Sequence, residues 1–397
     1  MSTVSVALVA IGYNKTESLM RLLESLQRAE YGQDEVPLII SIDKSDSDEV
    51  EKAAEGFAWK HGWKEIRTFS ERQGLRKHIL SCGDFLEKYE AVFIFEDDLV
   101  VSPYFYQYGK ACLDFYKNNE NIEGISLYST KWNQNANFPF EPMKSEYDTY
   151  FLQCAQSWGQ IWLRERFRDF LAWYQENTDF FEKEKRKDIP ANLYTWGKNS
   201  WLKYHIVYCI LKKKYFVYPY YSFTTAFVEN GTHFGTDITR FHSEMMVKDV
   251  GNYRLADFNE CAVFYDAFYE NILLKERLER EWDGNVLVDL YGRRETAGQA
   301  GYCISTQILP FEVKREYALQ LRPIELNVYM DIKGTGIFVY DMSSERKISK
   351  KEKRFQIIKK WDYFMKERFL MWDEIIPLCC QKAGNLFRII MKKVRKQ

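Results

Sequence analysis

Three consecutive acids, Glu96, Asp97 and Asp98, follow directly on the apolar run Ala91-Val-Phe-Ile-Phe95. Crowded carboxylates repel one another, so such a group becomes tolerable when a cation or a ribose sits among them. Mg²⁺ and Mn²⁺ take hard oxygen ligands, usually one or two carboxylates, with phosphate oxygens completing the shell. The triplet therefore carries the chemistry of a metal–diphosphate site. A strand ending in acids can also be a plain solvated turn. Here Leu99-Val100-Val101 resumes the apolar run at once, so the acids interrupt a hydrophobic segment. Arg72, Arg76 and Lys77, just upstream, are candidates to hold phosphate. His233, between Gly231 and Gly235, is a candidate for metal or phosphate.

The elements that must position these groups alternate. Val4 to Ile11 reads as a buried strand, broken by Gly12-Tyr13-Asn14. Thr16 can then cap a helix with Leu19, Leu22, Leu23 and Leu26 on one face. Pro37 to Ile42 is a second strand with Asp43 at its carboxyl tip. A helix over Val50–Phe57, a strand at Glu65–Phe69 and a helix over Gly74–Lys88 lead into the acid-bearing strand. Strands alternating with helices across short connections give an α/β fold with a largely parallel sheet, whose ligands sit at the carboxyl ends of the strands. Neither G-x-G-x-x-G after the first strand nor a P-loop is present, so dinucleotide and P-loop readings fall away.

Further along, Ile125–Tyr128, Tyr215–Tyr221 and the helix Leu163–Tyr174 extend this unit. Trp158-Gly159 precedes that helix, and Trp196-Gly-Lys-Asn-Ser-Trp201 opens another. Residues 246–285 read as helical. Five short period-2 runs follow, at Val286–Leu290, Tyr302–Thr306, Tyr317–Leu321, Leu326–Met330 and Ile337–Tyr340, and suggest a small β-rich appendage. The expected divisions are residues 1–245, 246–341 and a basic helical tail at 342–397.

Composition bounds the class. The 397 residues include 11 Trp, 27 Tyr and 28 Phe, an aromatic content that suits sugar rings as well as a large core. From Ser343 onward, 16 Lys/Arg stand against 6 Asp/Glu, so this end carries +10 and the rest −11. Within 382–397, six cations alternate with Leu386, Phe387, Ile389 and Ile390, and a basic amphipathic helix can lie on an anionic membrane. A nucleic-acid partner is not expected, because the remainder is acidic. The eight cysteines have no metal-ligand spacing and no disulfide pattern, and no run of about 18 apolar residues is found, so a cytoplasmic protein, peripheral on the inner membrane face, is expected.

Together these features resemble the GT-A glycosyltransferases, family 2 and the N-acetylglucosaminyltransferase I type in particular, over roughly residues 4–245. Glu96-Asp97-Asp98 is similar to that family's E-D-D variant of the D-x-D motif. The resemblance implies a GT-A fold and a nucleotide-sugar donor, most simply UDP-linked. In it Asp98 holds Mn²⁺ or Mg²⁺ and Glu96 and Asp97 address the nucleoside. Asp43 and Tyr13 lie at the nucleotide base, Trp158-Gly159 lines the donor sugar, and Arg76 and His233 assist the diphosphate and metal. It also implies a glycan or lipid-linked acceptor in surface polysaccharide synthesis, with hexosyl or N-acetylhexosaminyl transfer. One departure stands out. The Asp that serves the inverting enzymes of the family as catalytic base has no counterpart in Trp196–Trp201, and Asp179, Asp188 and Glu229 are the nearby acids. A non-catalytic binding subunit is the alternative.

Overall fold

A computed structural model describes residues 4–227, 241–260, 263–296, 301–365 and 380. The strands are β1 (Val6–Gly12), β2 (Leu38–Ile42), β3 (Lys64–Thr68), β4 (Ala91–Glu96), β5 (Leu99–Val101), β6 (Ile122–Ser126), β7 (Trp132–Asn133), β8 (Phe138–Pro139), β9 (Thr149–Leu152), β10 (Gln160–Leu163), β11 (Tyr215–Pro219), β12 (Thr224–Ala226) and β13 (Phe264–Tyr265), followed by β14 (Val286–Asp289), β15 (Tyr302–Ser305), β16 (Phe311–Tyr317) and β17 (Ile337–Glu345). The helices are α1 (Thr16–Gln27), α2 (Glu49–Gly56), α3 (Gly74–Ser81), α4 (Phe105–Tyr116), α5 (Arg164–Glu176), α6 (Leu202–Lys212), α7 (Ile272–Trp282), α8 (Leu326–Tyr329) and α9 (Lys350–Met365).

Nine strands form the central sheet in the order β13-β9-β11-β6-β10-β4-β1-β2-β3. β3, β2, β1 and β4 run parallel, as the alternation of strands and helices requires. β10 breaks the pattern by entering antiparallel between β4 and β6. The fold is thus α/β with a mostly parallel sheet. β1, β2 and β4 are buried almost throughout, the expectation for strands covered on both faces. Leu19, Leu22, Leu23 and Leu26 of α1 are fully buried, each contributing about 1.5–3 kcal/mol. Lys15, not Thr16, occupies the N-cap of α1, and it makes no side-chain cap hydrogen bond.

Aromatic rings fill the space between α5, α6 and the sheet. Trp162 stacks on Phe167 at 4.2 Å and meets Trp201 edge-on at 5.7 Å. Phe170 stacks on His205 at 4.0 Å, and His205 Nε2 lies 2.9 Å from Glu123 Oε1 in full burial. Burial pushes the Glu123 carboxyl well up and the imidazole down to about 3, so desolvation favours the neutral form of each.

The C-terminal sheet has the order β14-β15-β17-β16. Along β17 the faces alternate. Ile337 and Val339 join the main core, while Phe338, Tyr340 and Met342 enclose a second small core with Cys303 and Leu309. Two of the five runs expected here as strands are otherwise. Leu326–Tyr329 is helical, because Pro323 precedes it and Asn327 ties the loop, accepting from Gln320 and Leu321 N–H and donating to the Leu321 and Ile324 carbonyls. Tyr317–Leu321 lies beyond the end of β16 except for its first residue. Of residues 246–285, only Ile272–Trp282 forms a helix among the described ones. No helix among the described residues is long and apolar enough to cross a membrane.

Candidate functional site

Parallel register turns scattered sequence features into one edge. β1 pairs with β2 through Gly12↔Ile42 and with β4 through Ile11↔Glu96. The residues that follow these strands, Tyr13, Asp43 and the Glu96–Asp98 turn, therefore emerge side by side at the carboxyl end of the sheet. β10 runs the opposite way, with Gln160 facing Ile94, so Trp158-Gly159 enters the sheet at this same end. β12 closes over the turn by pairing antiparallel with β5, and Phe227 N–H donates to the Asp98 carbonyl at 2.6 Å. The chain then passes into residues 228–240. Glu229 and His233 lie there, outside the described residues.

The electrostatics at this edge are lopsided. Burial and then the fields of Asp98 and Asp97 push the Glu96 carboxyl well up, and against this stands a hydrogen bond with Trp201. Trp201, at the start of α6, is 2% exposed. α6 is thus anchored on the acid turn through a residue that the sequence reading placed only as a helix opener.

Asp43 is 4% exposed and already engaged. Its Oδ1 accepts from the N–H groups of Gln73 at 2.7 Å and Lys44 at 2.9 Å, and its Oδ2 from Gly74 at 2.9 Å. A carboxylate offers about four acceptor positions, so about one is left for a ligand N–H. Asp43 seats the start of α3 on the sheet, and this places Arg72 and Arg76. The Arg72 guanidinium lies 4.7 Å over the Tyr13 ring. Arg76 donates to Tyr204 Oη of α6 at 3.2 Å. Lys77 is exposed, 3.9 Å from Glu71.

Trp158 packs on Tyr128 and Phe241 at 5.0 and 4.6 Å. Gly159 has φ +90, and a Cβ there would come within 2.7 Å of Thr224 Cγ2. Thr224 Oγ1 in turn donates to the Trp158 carbonyl at 2.5 Å. The glycine is required by the close approach of β12, and this holds the lid strand against the turn.

Of the acids considered as a base, the two among the described residues are paired. Asp188 is bidentate with Arg186, at 2.9 and 2.6 Å, and this hydrogen bonding holds its carboxyl below the usual range. Asp179 is 2.9 Å from Lys183 and likewise lowered. A general base works best with a pKa near the operating pH, which neither has as placed.

Among the described residues, no group of three or more His, Cys, Asp or Glu could hold a metal ion. The donor chemistry present is that of Asp97 and Asp98, hard oxygens beside a Glu96 carboxyl whose ionisation their charges oppose. That set fits a hard divalent cation completed by phosphate oxygens.

No protein-family model matches this sequence, and no curated protein matches it. Solved structures do. S. aureus TarS 1-349 is 12% identical with a TM-score of 0.32, over 42% of this chain and 48% of its own. GalNAc-T7 with UDP, GalNAc and Mn²⁺ is 12% identical with a TM-score of 0.37, over 55% and 42%. The mannosyltransferase PcManGT from Pyrobaculum calidifontis, with GDP-Man and Mn²⁺, is 12% identical with a TM-score of 0.31, over 41% and 46%. The chain spans about half the length of these structures, or less.

Proposed function

We propose that this chain is a metal-dependent glycosyltransferase of the GT-A kind that takes a nucleotide-diphosphate sugar, most simply UDP-linked. The observation that carries the reading is the register that gathers Tyr13, Asp43, Glu96–Asp98 and Trp158 at one carboxyl edge. Open α/β sheets bind ligands there. In this reading Asp98, with His233, holds Mn²⁺ or Mg²⁺, and the cation supplies positive charge to the departing diphosphate. Glu96 and Asp97 face the ribose. Asp43 uses its remaining acceptor position toward the nucleotide base, beside Tyr13. Arg76 assists the diphosphate, and Trp158-Gly159 borders the sugar.

Transfer with inversion to a glycan or lipid-linked acceptor, as in surface polysaccharide assembly, completes the proposal, with the tail at 382–397 against an anionic inner membrane face. Asp188 could act as base only after release from Arg186, and Glu229 is the other candidate. The paired state of Asp188 favours a second reading, a sugar-nucleotide binding subunit without turnover.

One assay separates the two. UDP and GDP release from a panel of sugar nucleotides is measured with Mn²⁺ or EDTA. Metal-dependent release from one donor is expected for the transferase. Metal-dependent binding without release marks the binding subunit, and absence of both defeats the site itself.

A further inference from the structure

Helix α9 has two faces rich in large side chains, and the fold uses only one. Gln356, Lys360 and Phe364, four residues apart, form the inward stripe. Gln356 Nε2 donates to the Thr306 and Gly336 carbonyls at 2.7 Å each, and Lys360 Nζ donates to the Tyr291 carbonyl at 2.5 Å. Phe364 stacks on Phe138 at 4.6 Å. The helix is therefore fixed on the body of the protein.

The outward face is the anomaly. Phe355, Ile357, Ile358, Trp361 and Met365 are between 39% and 68% exposed. They are five of the thirteen exposed large hydrophobic side chains among the described residues, all on one helix. Scattered exposed apolar residues are ordinary, but a contiguous group marks a contact surface. At about 100° per residue Ile358, Trp361 and Met365 fall close to one line, with Ile357 to one side and Phe355 to the other beyond the half-buried Asp362.

Cations occupy the amino-terminal end of the same helix. Lys350, Lys351, Lys353 and Arg354 are all exposed. The acid among them, Glu352, is engaged by Arg346 at 3.1 Å and by the Ser349 N–H at 2.7 Å. The cations complement an anionic surface, and a soluble polyanion alone would leave the apolar strip in water. A surface that is anionic outside and apolar just beneath satisfies both ends of the helix. We propose that the outward face of α9 docks on an anionic lipid bilayer, with the helix lying in the plane of the interface. This contact is separate from the tail at 382–397 and does not depend on the donor chemistry.

The test is sedimentation of the full chain with vesicles of phosphatidylcholine alone or mixed with phosphatidylglycerol, at low and high salt. Three full-chain variants accompany the wild type: Ile358→Ser/Trp361→Ser, Lys350→Ala/Lys351→Ala/Arg354→Ala, and one with the six cations of 382–397 changed to Gln. The expected result is binding to the anionic vesicles only, weakened by salt. Both α9 variants should lose roughly tenfold or more in affinity, and the tail variant should keep an anionic binding that Ile358→Ser/Trp361→Ser then removes. Tm and nucleotide release without vesicles should be unchanged in the α9 variants, so a failure here is distinct from failure of the transferase reading. The inference is overturned if the wild type ignores anionic vesicles or if the α9 variants bind as the wild type does. It is equally overturned if light scattering finds a wild-type dimer that Trp361→Ser dissociates.

Discussion

Two groups of acids differ in what the chain does about them. At the joint where the small sheet docks, Asp266, Glu270 and Asp289 come together, and donors of the chain meet most of their oxygens. Asp289 Oδ1 accepts from the N–H groups of Arg293 and Arg294 at 2.6 and 2.8 Å, and its Oδ2 from Ser305 at 3.1 Å. Glu270 Oε1 accepts from Tyr291 N–H at 2.8 Å, and Arg294 pairs with Asp266. The other Glu270 oxygen is buried without a hydrogen-bond partner among the described residues, and burial with the fields of Asp289 and Asp266 pushes this carboxyl well up. Burial still raises Asp289, but the backbone N–H groups, Ser305 and the Lys360 charge pull it back. At the end of β4, burial and two neighbouring carboxylates act together on Glu96, and a Trp201 hydrogen bond opposes them. In the first group Asp266 and Asp289 are held by donors of the chain. The second lies at the carboxyl edge of the sheet, where open α/β folds bind ligands, and that placement separates a fold-supporting cluster from a candidate site better than any count of acids.

The contrast can be broken at its structural end first. Asp289→Ala should cost about 3 kcal/mol or more in denaturant unfolding, because it strands two backbone donors and Ser305 in a buried turn. A loss under about 0.5 kcal/mol would mean that the joint does not depend on this acid. Gly159→Ala comes next, at about 2–3 kcal/mol, from a positive φ and a Cβ driven into Thr224. The same variant should weaken metal-dependent nucleotide binding, since β12 is displaced from the acid turn. Unchanged binding alongside the lowered Tm would detach β12 from the site.

Glu325 sharpens the comparison from a third side. It is 1% exposed, and burial lifts its carboxyl to about 7 against the opposing hydrogen bonds of its own backbone N–H and Tyr265. A carboxyl whose folded pKa is raised favours folding below its unfolded value near 4.5 and loses that contribution as pH climbs through 7. Glu325→Gln should therefore gain about 2 kcal/mol on the wild type at pH 8 relative to pH 5. A gap that does not change with pH would place Glu325 outside the titration.

Much of this was legible in the chain. Continuous apolar runs and the leucines of α1 mark their elements locally, and the acid triplet interrupts its strand in plain view. The antiparallel entry of β10 was not, because its partners Ile94 and Ser126 are distant in sequence and pairing has no local signature. The anchoring of α6 through Trp201 and Glu96, and of α3 through Asp43, is missing from sequence for the same reason. Asp188 is the opposite case, since Arg186 two residues away foretells the pair. Leu326–Tyr329 misleads because its alternation is overruled by the bonds of Asn327, and the inward stripe of α9 is hidden in sequence because two of its members, Gln356 and Lys360, are polar.

The decisive experiment is calorimetric titration of UDP into wild type and Asp98→Ala, each with Mn²⁺ or EDTA, with Tm followed alongside. Binding that requires Mn²⁺ in the wild type and falls about 100-fold in Asp98→Ala, at a temperature where Tm shows both chains folded, is the expected result. Binding of equal strength in a folded Asp98→Ala chain would contradict it, and so would wild-type binding that persists in EDTA.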